Sequence, residues 1–301
     1  MAAVGDAVAA IDCGTNSIRL LITENGRELA REMHIVRLGA GVDRTGRLDP
    51  AAIERTRIAL AEYTGLIARH GADRVRMVAT SATRDAANAE DFHAMVLATL
   101  GRPAEVISGD EEAALSFRGA VDGLPEGGER LVIDIGGGST EFVRGAREVR
   151  AAISMDIGSV RMTERHLPSD PPTAAEAAAA VADIDAAIDR ALAAVGAEPA
   201  TLVGVAGTVT TVAGIALGLE SYRPELTHHA VVPLAAVEEI TDRLTSLDHA
   251  GRAAIGAIHP GRVDVIPAGA LILRQIMRRT GSTELVVSEH DILDGIASSL
   301  A

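Results

Sequence analysis

Short apolar runs open the chain. Ala7 to Asp12, Ile18 to Thr23 and Glu28 to Leu38 read as three strands separated by turns. The period then lengthens. Ile53, Leu60, Tyr63 and Ile67 recur at helical spacing behind Asp49, a capping residue, and Pro50, at the first helical position. Val75 to Thr80 has the composition of a buried strand. Asn88 can cap a second helix carrying Phe92, Met95, Val96 and Leu100, which Gly101 stops. Ala104 to Ser108 is a short strand, and Ser108 with Glu111 has capping-box spacing at the head of a further helix.

The second half repeats this order. Strands are predicted at Arg130 to Ile135, Thr140 to Arg144 and Glu148 to Ser154. Thr173 to Val195 is Ala-rich, but Val181, Ile184, Ile188, Leu192 and Val195 hold one stripe for four turns, which makes it an amphipathic helix. Thr201 to Gly207 is a buried strand running into a Gly-Thr turn. Helices over Leu234 to Leu247 and Val265 to Thr280, a strand over Glu284 to Glu289 and a last short helix follow. Strands joined by turns should be antiparallel and those joined by helices parallel. The expectation is two α/β lobes, 1–124 and 125–289, with residues 290–301 able to pack back on the first. The seam falls in the Gly- and Pro-rich Val121 to Arg130, with Pro125 to Gly128 as the candidate hinge.

Composition narrows the chemistry. Hydrophobic residues make up 48% of the chain and aromatic residues 2%, so the cores must be aliphatic. All 28 basic residues are Arg, which removes the lysine of a phosphate-binding P-loop and any Schiff-base lysine. A net charge of −14 argues against a nucleic-acid partner, while leaving room for a polyanion bound locally. No apolar run is long enough for a membrane span, and the first residues lack a basic leader region. A single cysteine, Cys13, fits a reducing cytoplasm and is expected to be buried rather than nucleophilic. His228 and His229 are adjacent, so on a strand their rings would face apart, against a shared metal.

Two segments echo one another. Setting Asp12 on Asp134 brings Gly14 onto Gly136 and Ser17 onto Ser139: an apolar strand, Asp, a Gly-containing turn, Ser and a second strand. Amides of such turns can converge on an anion, and absent side chains let a phosphate come close. A carboxylate beside each turn suits phosphate only with a divalent cation between them. Mg²⁺ takes one or two carboxylates, waters and phosphate oxygens, and Asp12, Asp134 and Glu141 are the candidates to hold it. Glu111 and Glu112 are explained equally by the helix dipole at a first helical turn, and Arg84 by a surface ion pair to Asp85 or Asp91.

The stretches "AIDCGTNSIRLLI", "VRLGAGVDRTGRL", "ATSATRDAANAEDF", "VISGDEEA", "VIDIGGGSTEFV", "GVAGTVTTVAGI" and "GRVDVIPAGALIL" resemble, in this order, the exopolyphosphatase and guanosine pentaphosphate phosphatase family. That family lies within the actin, sugar-kinase and heat-shock-chaperone superfamily. The resemblance implies two ribonuclease-H-like lobes of duplicated βββαβαβα type facing an interlobe cleft. It implies Mg²⁺- or Mn²⁺-dependent hydrolysis of the terminal phosphate of inorganic polyphosphate, or of guanosine pentaphosphate, by a cytoplasmic homodimer. Glu112 matches the family's general base. Gly14, Thr15, Asn16, Ser17, Arg84, Gly136, Gly137, Gly138, Ser139, Thr140, Gly207 and Thr208 match its phosphate-binding positions, and Asp12, Asp134 and Glu141 its acidic ones. Ala114 replaces a common Arg after the base, and Asp294 stands where the family often has Arg. Longer relatives add helical domains for long polyphosphate, so short or medium chains are the expected substrate. A small-molecule kinase or an actin-like ATP-binding protein is the rival class, and "SGDEEA" argues against it.

Overall fold

The computed structural model describes residues 7–125 and 127–300. Glu126, inside the expected hinge, lies outside the described residues. The chain divides into two compact units, Met1–Gly119 with Ile292–Ala301, and Ala120–Asp291.

In the first unit, β1 (Ala7–Cys13), β2 (Ser17–Glu24), β3 (Arg27–Ile35), β4 (Arg74–Ala79) and β5 (Glu105–Val106) form one sheet. Its order is β3-β2-β1-β4-β5, with the first three strands antiparallel and β4 and β5 parallel to β1. This is the ribonuclease-H-like arrangement. As the central strand, β1 is buried on both faces. Ala7, Ala9, Ile11 and Cys13 join the core under the helices Pro50–His70 and Ala89–Leu100, while Val8 and Ala10 meet Leu115, Ile292 and Ile296 on the other side. The last helix, Ile292–Ser298, therefore completes this unit. It lies so near the helix Gly109–Val121 that a Cβ on Gly295 would fall 2.0 Å from the Leu115 carbonyl oxygen. Asp294, the departure from the family pattern, clips it to β3 through Arg31 at 2.6 Å.

The second unit repeats the plan. β6 (Arg130–Ile135), β7 (Thr140–Gly145), β8 (Val149–Met155), β9 (Thr201–Val205), β10 (Val231–Pro233) and β11 (Glu284–Val287) form a sheet of order β10-β11-β9-β6-β7-β8. Strands β6 to β8 are antiparallel, β9 and β11 run parallel to β6, and β10 adds an antiparallel edge. The Ala-rich segment is the helix Ala174–Val195, started by a full Thr173–Glu176 capping box, with Ile184, Ile188 and Val195 buried. Among the described residues no helix is long and apolar enough to cross a membrane.

Several local expectations change. The third strand stops at Ile35, and Arg37 takes a left-handed backbone at φ 50°, which ends pairing. Asn88 precedes its helix without capping it. Its amide side chain bonds the Leu48 N–H and carbonyl instead, tying two segments together. Half of the Ser108 capping box forms, because Glu111 directs its carboxylate to Arg76 at 2.7 Å. His228 and His229 are not on a strand. Left-handed backbone at His229, φ 61°, stacks the two rings at 3.7 Å. Among the described residues no group of three or more His, Cys, Asp or Glu could hold a metal.

Candidate active site

The two echoing turns have the same bonding. Gly14 N–H donates to the Ser17 carbonyl at 3.0 Å, and Gly136 N–H to the Ser139 carbonyl at 3.0 Å. The chain after each third strand then caps the turn's other carbonyls. In the first unit Thr15 accepts from Gly39 N–H, and Asn16 from Val36 and Arg37 N–H, at 2.8–3.0 Å. In the second, Gly136 accepts from Ser159 N–H, and Gly137 from Val160 and Arg161 N–H, at 2.8–3.1 Å. A trans peptide points its C=O and the next N–H in opposite directions. Fastening a carbonyl therefore aims the next amide away from the fastening segment. The N–H groups of Thr15 and Asn16, and of Gly137, Gly138 and Ser139, donate to no backbone carbonyl among the described residues. Each turn is a set of preset amide donors of the kind an anion needs.

The capping segments need glycine for space. A Cβ on Gly158 would stand 2.4 Å from the Gly137 carbonyl carbon and oxygen, and one on Gly39 2.4 Å from Thr15 Cγ2. Thr15 Oγ1 and Thr140 Oγ1 are already engaged, with Ser81 Oγ at 3.0 Å and with the Ile157 carbonyl.

The carboxylates differ between the hairpins. Asp12 faces Arg19 across β1 and β2, and Asp134 faces Glu141 across β6 and β7. Arg19 donates Nε and Nη2 to Asp12 Oδ2 at 3.0 and 2.6 Å. The second hairpin instead sets two acids side by side, Asp134 at 7% and Glu141 at 1% exposure, with Ser154 Oγ donating to Glu141 at 2.7 Å. Like charges opposite one another on a strand pair are unfavourable unless a cation or a proton offsets them. The donor set, two hard oxygen ligands beside preset amides, fits Mg²⁺ or Mn²⁺, which take one or two carboxylates and complete their shell with water and phosphate oxygens.

Glu112 lies in the first turns of the helix Gly109–Val121 and is 8% exposed. Arg84, closing the short helix Ser81–Arg84, donates Nη1 to the Ile107 carbonyl at 2.8 Å and to Glu112 Oε2 at 3.3 Å. It turns to the acid of the neighbouring helix rather than to Asp85 or Asp91. Its Nε and Nη2 have no protein partner among the described residues.

A model of the Ppx/GppA phosphatase family matches residues 22–300. The chain belongs to this family. It is similar to Exopolyphosphatase 2 of Mycobacterium tuberculosis, 51% identical over 98% of each chain. Among solved structures it is similar to an exopolyphosphatase-like protein, with 43% identity, TM-score 0.94 and 97% and 98% of the two chains covered. It is also similar to the Aquifex aeolicus Ppx/GppA family member, with 33% identity, TM-score 0.82 and 98% and 97% covered.

Within the family's third motif, Gly207 and Thr208 begin a helix rather than forming the expected Gly-Thr turn. The chain leaves β9, passes Ala206 at φ 68° and enters the helix Ala206–Ala216 directly. A Cβ on Gly207 would lie 1.3 Å from Arg262 Nη1, so the guanidinium occupies the space that glycine vacates at the helix start. Thr208 is buried against Gly269, where a Cβ would come within 2.6 Å of its hydroxyl. Arg19, Gly39, Gly158, Arg161 and Arg262 are the residues at these motifs that sequence reasoning left unassigned. The duplication carried the signal for Gly39 and Gly158, since each follows an apolar residue just beyond a third strand.

Proposed function

We propose that this phosphoanhydride hydrolase is an exopolyphosphatase: it removes the terminal phosphate of inorganic polyphosphate using a water activated by Glu112. The observation that carries the reading is the Arg84–Glu112 pair, a nearly buried carboxylate held 3.3 Å from a guanidinium whose other nitrogens remain available. A fork of this kind grips phosphate oxygens in a plane, so it sets a phosphate beside the carboxylate. Glu112 takes a proton from a water as the water oxygen attacks the terminal phosphorus. The bond to the bridging oxygen breaks in line, and that oxygen leaves on the shortened chain. General-base assistance of this sort contributes roughly 10²–10⁴-fold. Preset turn amides receive non-bridging oxygens without reorganising, which is how preset donors stabilise developing charge.

Asp134 and Glu141 would hold the divalent cation, whose charge offsets that of the phosphate oxygens when it is bound. Asp12 is less suited to direct coordination, because Arg19 already neutralises it. Its proposed part is to orient Arg19.

The test is phosphate release from polyphosphate of defined lengths in Mg²⁺, comparing the native protein with Glu112→Gln. Turnover by the variant at the native rate overturns the assigned base. Competition with guanosine pentaphosphate decides which anhydride is preferred.

A further inference from the structure

The two turns are fastened by different means. In the first unit the carbonyl of the last residue before the serine, Asn16, is held by two backbone donors, Val36 and Arg37 N–H. Its counterpart in the second unit is Gly138, and its carbonyl is held by a side chain: Arg161 Nε donates to it at 2.7 Å. The same residue also holds the preceding carbonyl, its own N–H reaching Gly137 at 3.1 Å. Its guanidinium is largely buried, with 12% of the side chain exposed, and its Nη2 stands 4.0 Å from Asp156.

We propose that Arg161 is a positioning residue for the phosphate turn of the second unit. The carbonyl of Gly138 and the N–H of Ser139 share one peptide plane, so the Nε contact sets the direction of the Ser139 amide. By the same geometry the Arg161 backbone N–H sets the Gly138 amide. Glycine gives this turn no side chains to stiffen it, and three consecutive glycines have the most conformational freedom to lose on ordering. One guanidinium closes that gap and adds fixed positive charge at the turn between Asp134 and Glu141. Arg161 therefore acts through the turn rather than on the reacting atoms. In the first unit the Thr15 and Asn16 carbonyls are held by backbone donors, and substitution of Arg161 leaves that fastening intact.

The phosphate role rests on the function proposed above, but the clamp itself does not, and the two are separable. In Arg161→Met, hydrogen exchange of the Gly136 amide, bonded to the Ser139 carbonyl, is expected to rise at least ten-fold in the ligand-free protein, with exchange of the corresponding Gly14 amide unchanged. On tripolyphosphate with Mg²⁺ the variant should lose ten- to hundred-fold in kcat with a smaller change in KM, the range expected when a preset donor is disordered rather than deleted. Guanidinium ion added to Arg161→Ala should restore part of kcat, a rescue that a merely structural arginine would not give. Arg161→Lys, which keeps the charge but not the planar Nε donor, should behave like Arg161→Met. Unchanged exchange at the Gly136 amide, or native kcat in Arg161→Met, overturns the proposal. If the native protein releases no phosphate from any polyphosphate, the functional reading fails alone, and the exchange arm still decides the clamp.

Discussion

Arg19 grips Asp12 across β1 and β2, both of its contacts converging on Oδ2 at 3.0 and 2.6 Å. At the corresponding place in the second hairpin stands Glu141, an acid instead of a base. The two hairpins thus differ, one pairing its acid with an arginine and the other setting two acids opposite one another. Mn²⁺ or Mg²⁺ titration should show the difference. Asp134→Asn and Glu141→Gln are expected to weaken metal binding by about ten- to a hundred-fold, since each removes one of two anionic ligands. Asp12→Asn should weaken it several-fold at most. A larger loss from Asp12→Asn than from Asp134→Asn would reverse the assignment.

Replacing Arg84 separates phosphate binding from base positioning. Arg84→Lys keeps the charge beside Glu112 but loses the planar fork. It should raise KM for polyphosphate by about ten-fold and lower kcat by a similar factor. Arg84→Met leaves Glu112 without its 3.3 Å partner as well and should cost about a thousand-fold or more in kcat/KM. Steady-state kinetics on tripolyphosphate, with Tm followed alongside, measures both. Native kinetics in Arg84→Lys would mean that fork geometry is irrelevant.

Two glycines outside the motif core are predicted to be intolerant of a methyl group, to different degrees. Gly158 has extended backbone, φ −135°, so its demand is for space alone, and the obstacle is the Gly137 peptide. Gly158→Ala should destabilise the second unit by about 1–3 kcal/mol, the usual range for overpacking, and reduce turnover by displacing the turn. At Gly39 the obstacle is the Thr15 methyl, which can move once its hydroxyl leaves Ser81. Gly39→Ala should therefore cost less. Urea unfolding monitored by circular dichroism ranks the two, and the opposite order would contradict this packing account.

Cys13 should be inert. Burial, and then the carboxylate of Asp12, push its thiol above the usual range, and it is fully buried at the end of β1. A thiol reagent at neutral pH should leave the folded protein unmodified and label it fully after denaturation, because only the thiolate reacts. Rapid labelling of the folded protein would refute this environment.

Much of this was legible in the sequence. The Asp-Gly-Ser echo predicted two hairpins, and both turns close with the same Gly N–H to Ser carbonyl bond because hairpin geometry is local. The capping box at Thr173 likewise formed as its spacing suggested. The misses have non-local causes. Nothing near Asn88 in the chain indicates that its side chain will tie Leu48, forty positions away, rather than cap its own helix. Arg262 and Gly207 are far apart in the sequence, so a guanidinium resting on a helix start could not be read from either. The difference between the acidic pair Asp134–Glu141 and the neutralised pair Asp12–Arg19 required the strand register. A one-residue slip would put other side chains opposite one another.

His259 supplies the expected pH dependence of stability near neutrality. Its Nδ1 accepts from Gly261 N–H at 3.1 Å, a bond available only to the neutral ring. Burial, and then the nearby Arg262, hold its pKa below the ordinary 6.5. In the unfolded chain the ring takes up a proton as pH falls through 6.5, while in the folded chain it resists, so the unfolded state binds more protons and stability falls with acidification. A one-proton difference gives a slope of at most about 1.4 kcal/mol per pH unit. The lowered carboxylates Asp170 and Asp183, held by backbone, Arg and His partners, act in a separate window, below the ordinary Asp value of 3.8. His259→Asn can still accept from Gly261 but cannot titrate. Urea-unfolding free energies measured every half unit from pH 5 to 8 should show the native protein losing stability below 6.5 relative to the variant, with the two curves parallel above it. Parallel curves across the whole range would mean that His259 is as easily protonated in the fold as in the open chain.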